Sequence, residues 1–279
     1  MDFHPPLPPA FDFILPVERF YASLVAHAPD SNLGGRLLYI GALTDEGRAL
    51  AAAANIAGAA SLAVISGAAA QKQAVRDGII DFLVTDLSEA LRILKNQIRK
   101  REPVAVCIAS APEPIEDEMS ARGVLPDLLG PNVSESVQHL WPRAPRIAPV
   151  PLAPGILLVA SNLPVTRDIS VAGKLPAVGE VPAANEDLTH EEVLIAWSVA
   201  SAPAVWLPRM DALAAASLPA EAAAAHRWLR LAPRYTGRLA QGVRLLRCPQ
   251  SAAQALLDQV SSAEDLSANV ELQLTRAQA

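Results

Sequence analysis

Between Gly34 and Leu129 the chain repeats one unit: a short apolar run, a tight turn, then a segment with helical composition. Arg36-Leu37-Leu38-Tyr39-Ile40 is rich in strand formers and runs at once into Gly41, with Thr44-Asp45-Glu46 just beyond. Thr44 suits a helix N-cap, and Asp45 and Glu46 complement the positive end of a helix dipole. The alanine-rich segment from Gly47 to Ala60 then propagates a helix at little entropic cost. The pattern recurs three more times. Ser61 to Ser66 is a second strand followed by a helix from Ala68 to Asp77, and Asp81 to Val84 is a third strand. Thr85, Asp86 and Ser88 offer caps for a helix from Glu89 to Lys100, and Val104 to Ala109 is a fourth strand. Strands alternating with helices predict an α/β fold, a parallel sheet with helices on both faces. Ligands of such sheets lie beyond the carboxyl ends of the strands, which singles out the turn from Gly41 to Gly47.

A chain of 279 residues is long enough to bury a full core, as one large domain or two smaller ones. Its net charge of −6, with only 19% charged residues and no basic cluster interleaved with aromatics, argues against a nucleic-acid partner. Cys107 and Cys248 are far apart and have no metal-type spacing, and Cys107 falls in a predicted central strand as a small apolar residue. Met1 to Pro16 lacks the basic start and long apolar core of a signal peptide. No apolar stretch reaches the roughly 20 residues of a membrane span. A cytoplasmic protein with no membrane partner is expected.

The prolines at positions 5, 6, 8, 9 and 16 predict an extended N-terminal arm to Pro16, followed by a helix over Val17 to Ala28. The organisation expected is an arm and leading helix over residues 1–30, an α/β core over 31–140, a second α/β part over 141–262 and a polar tail over 263–279. Within the core, Ile115 to Arg122 reads as a helix stopped by Gly123, and Val124 to Leu129 leads to a fifth strand. Proline-rich Trp141 to Pro154 reads as a connector. Beyond it, Ile156 to Ala160 reads as a strand, Asp168 to Leu188 as loop and His190 to Ser198 as helix. Val205 to Leu207 is a predicted short strand and Ala220 to Leu231 a helix. Val243 to Leu246 is another strand, with a helix capped by Ser251 to follow.

The Gly41-to-Gly47 turn has the shape of a phosphate cradle, because backbone N–H groups at a helix start attract anions. It is a weak fingerprint: a dinucleotide loop uses three closely spaced glycines, and here Asp45 and Glu46 oppose a pyrophosphate. The second strand ends Ile65-Ser66-Gly67, with no acid to hold a ribose hydroxyl. Asn132, Ser134, Glu135 and Ser136 follow a strand end, as either a polar pocket rim or an ordinary capping loop. His27, His139, His190 and His226 are scattered, His190-Glu191-Glu192 lacks the second histidine of a zinc helix, and no catalytic triad assembles. The sequence offers no catalytic residue and no metal ligand set.

Four collinear runs carry a family resemblance. Leu33-Gly34-Gly35-Arg36-Leu37-Leu38-Tyr39-Ile40-Gly41, Ala57-Gly58-Ala59, Val84-Thr85-Asp86-Leu87-Ser88-Glu89-Ala90-Leu91 and Ala121-Arg122-Gly123-Val124-Leu125-Pro126-Asp127-Leu128 resemble the NAD-binding core of urocanase, urocanate hydratase. Downstream, His226-Arg227-Trp228-Leu229 resembles a His-Arg-Trp-Leu segment of the same family, with Trp197 upstream of it. The resemblance covers roughly residues 17 to 260. It implies a Rossmann-like domain with extra elements C-terminal to it, a homodimer, and a tightly bound NAD. In the family that NAD adds as an electrophile to the imidazole-acrylate so that water can add across the conjugated system.

This chain departs from the family at the residues that do this chemistry. The family's nearly all-glycine loop falls on Ala42-Leu43-Thr44-Asp45-Glu46, and its acid on the second strand and the arginine soon after fall on Ile65 and Ala70. Its Gly-Asn-Ala-Ala turn falls on Ser110-Ala111-Pro112-Glu113, and its Gln-Thr-Ser-Ala-His turn on Asn132-Val133-Ser134-Glu135-Ser136, which keeps Ser134. The family cysteine falls near Thr189 or His190, and the family's N-terminal and closing segments find no counterpart. Two functions follow as expectations. One is a catalytically degenerate homologue, without cofactor, serving binding, assembly or regulation. The other is a hydro-lyase or related enzyme of small substrates holding NAD at Gly41, Gly47, Asn132, Ser134 and Asn162.

Overall fold

A computed structural model describes residues 11–28, 30–134, 139–151, 158–160, 192–199 and 201–276. The chain divides into two compact units, Met1–Val150 with Arg230–Leu239, and Pro151–Leu229 with Ala240–Ala279.

The first unit opens with helix α1 (Phe11–Val25) and continues as β1 (Leu37–Ala42), α2 (Asp45–Ala57), β2 (Ala60–Val64), α3 (Ala68–Arg76) and β3 (Phe82–Val84). Helix α4 (Leu87–Lys100), β4 (Val104–Ile108), α5 (Pro112–Ala121) and β5 (Leu128–Leu129) complete it. The five strands form one parallel sheet in the order β3-β4-β2-β1-β5, the α/β Rossmann-like arrangement expected. Strands β1, β2 and β4 are buried almost throughout, as both faces are covered. Leu87, Ala90, Leu91 and Leu94 of α4 and Ile115 and Met119 of α5 pack on the face bearing Tyr39, Leu62, Val64, Val106 and Ile108. Helix α2 covers the opposite face, and α1 packs on α2. This explains the alanines: Ala49 to Ala54 are buried because the helix lies between sheet and α1, and only small side chains let the layers close. Thr44 caps α2, accepting from the Gly47 N–H, and Gly58 ends it at φ +93°. Asp86 caps α4, accepting from the Glu89 N–H at 2.9 Å.

Two expectations for this unit are corrected. The segment read as arm to Pro16 is helical from Phe11, because Phe11, Ile14, Val17, Tyr21 and Leu24 form one buried stripe whose burial outweighs the backbone bond lost at Pro16. The start of the proline-rich connector belongs to the core. Trp141 is 3% exposed, donates from Nε1 to the Val124 carbonyl at 3.0 Å and meets Tyr39 edge to face at 5.6 Å, while Ile147 is fully buried. Proline density marked irregular backbone correctly, but irregular backbone can still bury an indole.

The second unit is an antiparallel sheet in the order β6-β9-β7-β8, built from β6 (Leu158–Ala160), β7 (Glu192–Val199), β8 (Val243–Pro249) and β9 (Val270–Arg276). Its helices are α6 (Pro203–Ser217), α8 (Gln250–Ser262) and the short α9 (Glu264–Ser267), while α7 (Ala223–Thr236) belongs to it as far as Leu229 and to the first unit from Arg230. Four readings change here. Residues 192–199 are a strand, not helix: Val193 to Trp197 are all buried, so a strand covered on both faces shows no alternation and mimics a buried helix. Val205 to Leu207 lie inside α6, where Pro203 fits the first turn. The tail expected to be polar holds an interior strand, with Val270 and Leu272 buried and β9 paired to both β7 and β6. Helix α8 starts at Gln250 with no side-chain cap, so Ser251 does not serve as one. The predicted loop over 168–188 lies outside the described residues. Among the described residues no helix is long and apolar enough to cross a membrane.

Candidate functional site

The carboxyl ends of β1 and β5 lie side by side, and the turns that follow them meet. Strand β1 carries an irregularity there: Tyr39 pairs with Leu62 and Gly41 with Ala63, leaving Ile40 as an extra residue. Gly41 takes φ +79°, which admits glycine without strain, and a Cβ on it would stand 3.3 Å from Val133 Cγ2. Gly47 lies in the first turn of α2, where a Cβ would come to 2.7 Å from the Ala42 carbonyl oxygen. Gly130, just past β5, donates its N–H to the Tyr39 carbonyl at 2.7 Å and lies against the backbone of Ile40. Glycine at all three positions lets β1 approach α2 and the turn after β5.

Thr44 ties these pieces together. Its Oγ1 accepts from the Gly47 N–H at 3.2 Å and from Asn132 Nδ2 at 2.9 Å. Of the expected cofactor residues, Gly41, Gly47 and Asn132 are therefore drawn into one cluster, but through internal bonds. Gly47 spends its N–H on the cap, and Asn132 is exposed yet bound to the first turn. Ser134 is exposed two residues further on, and Asn162 lies outside the described residues. Asp45 and Glu46 stand exposed at the N-terminus of α2, where their charge meets the helix dipole and repels an approaching anion. At the end of β2 the Ile65 carbonyl accepts from Gln71 Nε2 at 3.2 Å, and Gly67 takes φ +90° with open space around it. Replacing Thr44 by alanine removes the acceptor of both bonds, and a loss of about 1 kcal/mol in chemical denaturation is expected.

Beneath these turns lies a buried polar pair that sequence reading missed. The Tyr39 hydroxyl donates to Glu116 Oε1 at 2.9 Å, with Tyr39 fully buried and Glu116 3% exposed. Burial first, then the Glu116 charge, pushes the Tyr39 phenol far above its ordinary value. Burial also raises the Glu116 carboxyl; the Tyr39 hydroxyl opposes this, and Glu113 and Asp117 add to it. The two residues are 77 positions apart, so nothing in the sequence pairs them.

Among the described residues the histidines do not form a centre. His27 Nδ1 lies 2.9 Å from the Ser23 carbonyl and His226 Nε2 lies 3.1 Å from the Pro219 carbonyl, each a contact with backbone a few residues upstream. Cys107 and Cys248 are buried, and burial pushes both thiols up to about 12, out of the nucleophilic range. Among the described residues no group of three or more histidines, cysteines or carboxylates is placed to hold a metal ion.

Residues 17–138 match the family described as the urocanase Rossmann-like domain. This span holds α1 from Val17 on, the parallel sheet and the glycines at the ends of β1 and β5. Over residues 17–138 the chain carries a Rossmann-like domain of the urocanase type.

Proposed function

We propose that this urocanase-family chain is a binding or assembly homologue that does not carry out hydratase chemistry. The observation that supports this reading is the self-capped first turn, where Thr44 holds the Gly47 N–H and the Asn132 amide while Asp45 and Glu46 stand at the helix start. A cofactor phosphate needs free backbone donors and a positive field at that place. Here the donor is spent on the cap and the field is offset by two carboxylates. Neither the end of β2, with Ile65-Ser66-Gly67, nor Pro112 at the start of α5 supplies the ribose acceptor or backbone donor that a nucleotide requires.

The second reading, NAD held at the strand ends by Gly41, Asn132 and Ser134, draws on the family's own ligand and on the nearness of Gly41 to Asn132. One experiment separates the two. The purified full chain is denatured, the supernatant is assayed for NAD by absorbance and mass, and native protein is incubated with urocanate while its ultraviolet band is followed. No released NAD and an unchanged band are expected. Near-stoichiometric NAD, or turnover of urocanate, would reverse the order of the two readings. The soluble cytoplasmic setting and the homodimer belong to the same proposal, and sedimentation of the purified chain tests the latter.

A further inference from the structure

The sheet of the first unit ends in β3, which pairs with β4 on one side and, among the described residues, with no strand on the other. Edge strands are normally protected by charge, proline, a bulge or a covering element. Strand β3 has no charged residue or proline: it reads Phe82-Leu83-Val84, with Phe82 45% and Leu83 38% exposed. The register sets Phe82 beside Val106 and Leu83 beside Cys107, so the two side chains leave the sheet on opposite faces. On the neighbouring helix α3, Val75 is 48% exposed and shares a stripe with Lys72 and Arg76 at helical spacing. Apolar surface thus gathers between residues 75 and 83.

The charges around this edge are unevenly used. Asp77 is bound to Arg48 and to Gln73 Nε2, Asp81 accepts from the Ala105 N–H at 2.8 Å, and Asp86 caps α4. Lys72 and Arg76 are exposed and bonded to no carboxylate among the described residues. Arg238 brings a third cation, donating from Nη1 to the Arg76 carbonyl at 2.7 Å. A second copy of this chain added antiparallel across β3 by two-fold symmetry would set α3 against its own image, Lys72 and Arg76 facing like charges. An acidic strand meets no such opposition.

We propose that β3 is a docking edge for an extended peptide segment of a partner protein, with apolar residues at alternate positions and carboxylates on the side facing α3. The peptide adds as a sixth strand, its backbone taking up the open edge of β3 while its carboxylates meet Lys72 and Arg76. This rests on the reading of the chain as a binding module, and the NAD assay tests that reading independently.

The test uses the full chain and a fluorescein-labelled peptide of alternating valine and glutamate, read by fluorescence anisotropy. Saturable binding that weakens as salt is raised is expected. The same peptide N-methylated at alternate residues is expected not to bind, since it cannot extend the sheet. Lys72→Glu with Arg76→Glu, both on the surface, is expected to weaken the acidic peptide by about tenfold and to favour one of alternating valine and lysine. Circular dichroism shows whether that variant is folded, and Phe82→Lys provides a second route to a blocked edge. Absence of binding to the native chain, or binding indifferent to both N-methylation and charge reversal, would overturn the proposal. So would a concentration-dependent doubling of mass that Phe82→Lys abolishes, because the edge would then belong to a second copy.

Discussion

Gly130→Ala is expected to destabilise the first unit by roughly 3 kcal/mol or more, at the upper end of what overpacking costs. A Cβ at this position would stand 2.5 Å from the Ile40 carbonyl oxygen and 3.0 Å from its carbonyl carbon and Cα. These are backbone atoms of β1, a strand paired on both sides by β2 and β5, so no rotamer change relieves the clash. Gly130 must also keep its N–H on the Tyr39 carbonyl, which fixes the turn after β5 to the same strand. Against a total stability of about 5 to 15 kcal/mol for a domain, such a loss is large. Gly123→Ala serves as the control. Gly123 has φ +64° but nothing within 4 Å of where a Cβ would stand, so only the cost of the left-handed conformation remains, about 1 kcal/mol. Urea unfolding followed by circular dichroism measures both. A Gly130→Ala midpoint equal to that of the Gly123 variant would mean that the turn after β5 yields freely.

The buried Tyr39 and Glu116 pair carries the second large effect. Tyr39→Phe keeps the ring against Trp141 but takes the hydroxyl from Glu116, leaving a buried carboxyl without that donor at a cost of about 1 to 3 kcal/mol. Glu116→Leu strands the hydroxyl instead. The double variant removes both polar partners, and its loss is expected to be smaller than the sum of the two single losses. Additive losses would mean that the bond contributes nothing of its own.

Proton linkage gives this pair a second signature. Burial raises the folded-state Glu116 carboxyl above the ordinary 4.5, so the folded chain keeps a proton where the unfolded chain has released it. The unfolded state then binds fewer protons, and stability falls as pH climbs from 4.5 through the raised folded value. Below 4.5 the full contribution is present. Glu116→Gln keeps an acceptor for the Tyr39 hydroxyl and cannot ionise. It is expected to flatten this part of the stability profile and to exceed the parent chain in stability at mildly alkaline pH. A variant whose profile parallels that of the parent would show that another group titrates there.

Much of the first unit was legible in the residue order because its signals are local. Thr44-Asp45-Glu46 is a helix-start signal, Gly58 can end a helix at positive φ, and Leu37 to Ile40 and Val104 to Ile108 are short apolar runs set between such helix signals, as buried strands are. The second unit resisted for a related reason. Val193 to Trp197 is buried on both faces and has no period to read, while the tail looks polar because Glu271 and Gln273 alternate in the sequence with Val270, Leu272 and Leu274.

Residue order by itself determined the alternating α/β architecture of the first unit and its kinship with the urocanase domain, since capping, strand composition and collinear motifs are properties of neighbouring residues. Only the tertiary structure decided what the strand ends are. The Asn132 amide reaches Thr44 across 88 positions, Tyr39 reaches Glu116 across 77, and β3 is left at the edge of the sheet by a strand order the chain does not spell out. These are consequences of how distant segments pack, and packing is set by the whole core rather than by any stretch within it.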